Sequence, residues 1–241
     1  MLDNFPIEQI IVADHDGKES VFRRLKADDY RLWLENFSVG SPHLQPLGVF
    51  ARATCVVSKR LASGKKFTGG NLWPNVRLGL QPLLADSDAW VTTLLDFYGL
   101  PVGFPGLSWL PSLPGSALDA VRHVEGALST AMGSPARFIP FVALHEFEAW
   151  YFANPVKVAE FFGTLSVAEI MEQASREAGG PENIHQGKET HPSKRLERYG
   201  MGFRKTSAVA LLQEIGIDAI RKACPHFNNW LTRLKKLGMS V

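Results

Sequence analysis

Only two cysteines, Cys55 and Cys224, occur in 241 residues, and they are not spaced as Cys-x-x-Cys. A disulfide framework or a zinc knuckle is thereby disfavoured, and both read as reduced packing residues. No run approaches the roughly 18 uninterrupted apolar residues of a membrane span. The opening Met1-Leu-Asp-Asn-Phe-Pro6 lacks the basic and apolar regions of a secretion signal. A cytoplasmic protein without membrane contact is expected. The chain also has no Gly-x-x-x-x-Gly-Lys-Ser/Thr, no Gly-x-Ser-x-Gly and no Gly-x-Gly-x-x-Gly, so the nucleotide-binding and serine-hydrolase classes lose their usual support. His145-Glu-Phe-Glu148 is followed by Ala149 where a zinc peptidase needs its second histidine, which disfavours that class too. No internal repeat or low-complexity tract interrupts the pattern.

What is present is ample apolar material, 45% of residues, enough for one core of ordinary size with a small appendage. The net charge of +2 is unevenly spread. Residues 1–41 carry 5 basic and 8 acidic side chains, residues 42–185 carry 10 and 12, and residues 186–241 carry 11 and 4. The last segment is therefore +7, which is either a solvated face or a surface for a polyanion.

Along the chain, residues 7–13 predict a strand, 18–36 a polar helix, and Val49–Val57 a strand rich in β-branched residues. Residues 1–41 read as a detachable opening. Lys59–Gly70 predicts a basic, glycine-containing loop, and 73–85 a helix with Pro82 as a kink or end. A strand ending at Asp96 comes next, then a Pro/Gly-rich loop from Gly99 to Gly115, long enough for a lid or substrate loop. Ser116 caps a predicted helix with apolar Val121, Val124 and Leu128, and 137–144 predicts a second central strand. The alternation of strands and helices is an α/β signature with a parallel sheet. Beyond Glu146 the pattern predicts helices at 146–153, 155–162, 166–178, 205–215, 217–223 and 227–237, a helical C-terminal region broken by a polar loop at 179–192.

Two apolar runs end on acids: Trp90-Val-Thr-Thr-Leu-Leu-Asp96 and Arg137-Phe-Ile-Pro-Phe-Val-Ala-Leu-His145-Glu146-Phe-Glu148. Buried strands of an open α/β sheet end where ligands and metals bind. Carboxylates gathered there repel one another unless a hard divalent cation sits between them. Asp96, Glu146 and Glu148 are therefore the candidate ligands, with a turn or helix cap as the competing reading of Asp96. On a helix Glu146 and Glu148 would lie about 200° apart, and on an extended stretch they would share a face. His145 is a candidate ligand or acid/base, against the commoner role of a hydrogen-bonded structural histidine. Ser193-Lys194-Arg195 stands where a polar loop turns into a helix. A capping Ser193 with two cations at a helix start would grip a phosphate, or be a solvated loop. Cys224-Pro-His-Phe-Asn-Asn-Trp230 starts another helix whose Phe227, Trp230, Leu231 and Leu234 form a packing stripe.

These motifs are familiar as a set. Val91-Thr-Thr-Leu-Leu-Asp-Phe-Tyr-Gly-Leu-Pro101, Phe138–Ala149, Pro181-Glu-Asn-Ile-His185, Pro192-Ser-Lys-Arg-Leu196 and Cys224–Trp230 resemble, in order, the bacterial domain-of-unknown-function family 4276. That family is similar to the Toprim fold of topoisomerases, primases and OLD nucleases. The resemblance implies a Toprim-like, Rossmann-like small parallel sheet flanked by helices over residues 42–241, and acidic residues holding Mg²⁺ or Mn²⁺. Asp96 matches the aspartate after the central strand, and Glu146 or Glu148 the later acidic position. The usual opening Val-Glu-Gly-x-Thr-Glu is missing. Residues 1–41 instead resemble the tail of an ATPase encoded beside such proteins, as a fusion or frameshift would leave it, so the sheet's first strand and one ligand are expected to be missing. Asp14 or Glu35 could substitute for the ligand.

The expected function is a Mg²⁺-dependent, nuclease-like subunit cleaving phosphodiester bonds, with DNA as the expected nucleic acid. An ATPase partner and a place in phage defence are implied by the resemblance alone. The alternative is a non-catalytic, degenerate module that binds nucleic acid or its ATPase partner. A phosphatase or hydrolase acting on small molecules through the same acidic rim is a third option.

Overall fold

The computed structural model describes residues 8–13, 51–55, 57–60, 66–68, 73–108, 115–184, 190–200 and 208–237, with side chains described from Trp73 onward except those of Ala208 and Val209. The chain forms two compact units, residues 1–142 with 234–241, and residues 143–233.

The first unit is built on a small parallel sheet. Its strands are β1 (Glu8–Ala13), β2 (Ala51–Cys55) and β5 (Val91–Asp96), with the short segments β6 (Phe138–Ile139) and β7 (Val142–Ala143) both pairing with β5. The order is β2-β1-β5-β6, all parallel. β1 pairs with β2 from Glu8 opposite Ala51 to Val12 opposite Cys55, and with β5 from Gln9 opposite Val91 to Ala13 opposite Leu95. The strand expected to be missing from the sheet is thus supplied by the opening segment. The predicted polar helix at 18–36 and the residues Asp14 and Glu35 lie outside the described residues.

Every residue of β5 is buried, which its unbroken run of Val, Thr and Leu demands of a strand covered on both faces. Its two threonines complete the sheet where Pro140 interrupts it. Proline has no amide to give, and the strand predicted at 137–144 is accordingly split into β6 and β7. The Thr93 hydroxyl accepts from the Phe141 amide at 2.9 Å and donates to the Phe141 carbonyl at 3.0 Å, while Thr92 donates to the Ile139 carbonyl. The Val142 amide goes to the carboxylate of Glu125 at 2.9 Å.

The predicted loop at 59–70 is corrected: β3 (Val57–Arg60) and β4 (Lys66–Thr68) pair antiparallel, and α1 (Trp73–Leu84) packs against β3. Pro82 falls inside α1, two residues before its end, and does not stop it. α2 (Ala117–Ala131) begins as its sequence predicts. The Ser116 hydroxyl accepts from the Asp119 amide and the Asp119 carboxylate accepts from the Ser116 amide at 2.8 Å, a reciprocal capping box. Val121, Val124 and Leu128 are its buried stripe.

The second unit is helical. A seven-residue 3-10 segment, Phe147–Ala153, is followed by α3 (Pro155–Phe162), α4 (Ser166–Ala178), a 3-10 turn at Pro181–Asn183, α5 (Pro192–Arg198), α6 (Ala208–Ile215), α7 (Ile217–Ala223) and α8 (Pro225–Leu237). Asn154 accepts the Lys157 amide, Pro155 takes the first helical position of α3, and Gly163 ends it at φ +66, a backbone state open to a residue without Cβ. The 3-10 segment is the hub. It packs against α3, α4, α5, α6, α7 and the Pro181–Asn183 turn, and Trp150 meets Phe227 of α8 with ring centroids 4.6 Å apart. Glu148, Ala149, Trp150, Tyr151 and Phe152 are all buried, so this apolar string has no exposed face to offer. Phe227, Trp230, Leu231 and Leu234 of α8 are buried as their spacing predicts.

Candidate functional site

Asp96 is the last residue of β5 and is only 8% exposed. Its carbonyl closes the next turn by accepting the Gly99 amide at 3.0 Å. In an open parallel sheet the residues just past each strand gather at the carboxyl edge, and β1 ends beside Asp96, with Ala13 opposite Leu95. Asp14 comes next after Ala13 in the chain. A carboxylate taken this far out of water requires hydrogen bonds or positive charge around it.

The loop after Asp96, read from sequence as a lid or substrate loop, is pinned over its described part. The Phe104 amide donates to Pro101 at 3.0 Å and the Leu107 amide to Phe104 at 3.3 Å. Phe104 is 2% exposed and meets the Trp73 ring edge-on at 5.2 Å. At Gly106, with φ +87, a Cβ would fall 3.0 Å from the Ala127 Cβ and 3.2 Å from the Val124 Cα, so only glycine lets the loop lie this close to α2.

The remaining predicted residues belong to the second unit. His145 is 3% exposed with φ +64, a strained setting for a residue with a Cβ, and it directly precedes Glu146 and an unusually long 3-10 segment. Glu146 is extended, at φ −139, and its side chain is 14% exposed, whereas Glu148 lies inside the segment and is 2% exposed. The two glutamates therefore part company. Glu146 Oε2 accepts the Ser193 amide at 3.1 Å and sits 3.0 Å from His191 Nδ1, and Glu146 Oε1 accepts the Ser193 hydroxyl at 3.3 Å. Ser193 Oγ is itself 3.1 Å from His191 Nδ1.

This corrects the reading of Ser193 as a helix cap. α5 begins at Pro192, the cap position is His191, and Ser193 is the second helical residue, whose amide is received by Glu146. The anion at this helix start is the protein's own carboxylate. Lys194 pairs with Glu197 at 2.6 Å on the exposed side of α5, and Arg195 donates from Nε to the Thr190 carbonyl at 2.7 Å. Burial pushes the Tyr199 hydroxyl above its ordinary range, against the pull of Arg195.

A second carboxylate does the same work at α8. Glu182 is 6% exposed, and its oxygens accept the His226 and Phe227 amides, each at 2.9 Å. Burial raises the Glu182 carboxyl above its ordinary value, while the two amides and His226 pull it down. Cys224 is fully buried, and burial with the nearby Glu182 charge pushes its thiol up. Sequence reasoning did not single out His191 or Glu182. The only signals were the His-Pro-Ser run before α5 and the glutamate inside Pro181-Glu-Asn.

Among the described residues no group of three or more His, Cys, Asp or Glu side chains is placed to hold a metal ion. No helix among them is long and apolar enough to cross a membrane. Fold and motifs together define a mixed α/β chain with a small parallel sheet and a predominance of helices. The chain belongs to the family described as Domain of unknown function (DUF4276), whose model matches residues 38–235. β1 lies ahead of the matched range. No curated protein and no solved structure gives a significant match.

Proposed function

We propose that the chain is a Mg²⁺-dependent, nuclease-like subunit that cleaves phosphodiester bonds, in DNA first, working in the cytoplasm with an ATPase partner in phage defence. The observation that carries this reading is Asp96, a buried carboxylate closing a fully buried parallel strand at the sheet's carboxyl edge. The Toprim-like resemblance of the surrounding motif supplies the metal and the partner. Asp96 offers a hard oxygen donor of the kind Mg²⁺ or Mn²⁺ takes, and Asp14 stands next after the neighbouring strand in chain order. A bound divalent ion would polarise the phosphate and favour ionised water. The +7 charge of residues 186–241 favours a polyanionic substrate. Glu146 is a poorer candidate ligand, because Ser193 and His191 already hold both its oxygens.

That engagement of Glu146, with the lack of a three-ligand group among the described residues, favours the second reading, a non-catalytic module binding nucleic acid or its ATPase. One experiment separates the two. Oligonucleotide and plasmid cleavage is measured with Mg²⁺, Mn²⁺ or EDTA, alongside binding at graded salt. Metal-dependent cleavage lost in Asp96→Ala supports the nuclease. Salt-sensitive binding without cleavage, unchanged in Asp96→Ala, supports the module.

A further inference from the structure

From residue 36 to residue 85 the chain has no aspartate or glutamate, yet it carries six cations there: Arg52, Lys59, Arg60, Lys65, Lys66 and Arg77. The antiparallel ribbon of β3 and β4 lies inside this stretch and forms a two-stranded sheet of its own. Its register sets Val57 opposite Thr68, Lys59 opposite Phe67 and Arg60 opposite Lys66. Directly paired residues of an antiparallel ladder share one face, and like charges so placed destabilise the pair. A nearby acid would relieve them. The ribbon has none, and α1, which packs on β3, has the exposed Arg77 as its one charged residue. The ribbon also starts at the edge that Asp96 closes. β2, β1 and β5 run parallel and end together there, and β3 begins two residues after β2 ends at Cys55. β2 stands two strand spacings from β5, about 10 Å.

We infer that the β3–β4 ribbon is a cationic arm for the phosphate backbone of nucleic acid, with the Arg60–Lys66 pair as its contact and Lys59 at the adjoining register position. Two cations set opposite each other with no acid in the ribbon are a cost to the fold that bound phosphate removes. Phosphate contacts position a strand without reading its bases, so the arm holds DNA in a salt-dependent, sequence-independent way. This deepens the reading of the Asp96 edge as a nuclease site and rests on it for the placement of the strand.

The test is fluorescence anisotropy of labelled double- and single-stranded DNA on the full chain, in EDTA and at graded salt, with thermal denaturation of each protein. The double variant Arg60→Gln, Lys66→Gln is expected to make the plot of log affinity against log salt shallower on duplex DNA by about 1.8, two phosphate contacts at about 0.9 each. Lys66→Glu sets a carboxylate opposite Arg60. It should weaken DNA binding at least as much while its melting temperature stays at or above that of wild type, a combination that misfolding does not produce. The idea is overturned if the double variant keeps the wild-type salt slope, if Lys66→Glu loses binding and melting temperature together, or if wild type binds neither DNA. It is equally overturned if the variants weaken binding of polyglutamate and leave DNA unchanged, the result an acidic protein partner would give. A shallower slope in the double variant, with no cleavage by wild type under any metal, leaves the arm standing and removes the nuclease. Metal-dependent cleavage with an unaltered slope does the reverse.

Discussion

Glu146 receives both the amide and the hydroxyl of Ser193, at 3.1 and 3.3 Å, across 47 residues of chain. This carboxylate fixes the start of α5 to the aromatic 3-10 hub, and neither end of the contact reveals it in sequence. Glu146→Ala would leave the part-buried Ser193 amide without its acceptor, while the hydroxyl keeps His191, and is expected to cost about 1–3 kcal/mol. Glu146→Gln, which keeps an acceptor oxygen, should cost less. Urea denaturation of the three proteins measures both differences.

Glu182 makes stability depend on pH in an uncommon direction. Its folded-state value is raised, chiefly by burial, so between the ordinary carboxylate value near 4.5 and the raised one the folded protein holds more protons than the unfolded chain. Its contribution is full below the ordinary value and is lost as pH rises through the raised value. In Glu182→Gln, which does not ionise, that decline should flatten while stability elsewhere falls, because one amide cannot serve both the His226 and Phe227 N–H groups. Denaturation midpoints from pH 4 upward test the sign.

Thr93 adds side-chain bonds to Phe141, whose carbonyl also accepts the Leu95 amide at 3.4 Å. Thr93→Val keeps the shape but removes both the acceptor for the Phe141 amide and the donor to its carbonyl. The expected loss is about 2 kcal/mol, read from equilibrium denaturation, whereas a change on the solvent face would be near neutral.

The strand to Asp96 and the bounds of α3, α4 and α7 could be read from sequence because apolar runs, Pro155 and Gly163 mark them locally. The β3–β4 hairpin could not, since its Lys- and Gly-rich stretch becomes a ribbon only through its partner strand. Pro140 was visible, but the repair by Thr93 was not, since it joins residues 48 apart. The candidate site was legible as residue types and illegible as pairings. Glu146 was read as a ligand, and its oxygens serve Ser193 and His191, placements set by the packing of α5 on the hub.

Cys224 is fully buried and its thiol is pushed upward, so it should resist modification in the folded protein and react once the chain is unfolded. Mass spectrometry of the Cys224 peptide after iodoacetamide treatment, with and without urea, reads this residue separately from Cys55.

The proposed chemistry depends on Asp96 holding a divalent cation at the sheet's carboxyl edge. Mn²⁺ titration read by electron paramagnetic resonance, on wild type and on Asp96→Asn, is the decisive measurement. Wild type is expected to bind Mn²⁺ saturably, and a folded Asp96→Asn at least about tenfold more weakly. Equal Mn²⁺ binding by the two proteins, or none by wild type, would contradict a metal role for Asp96.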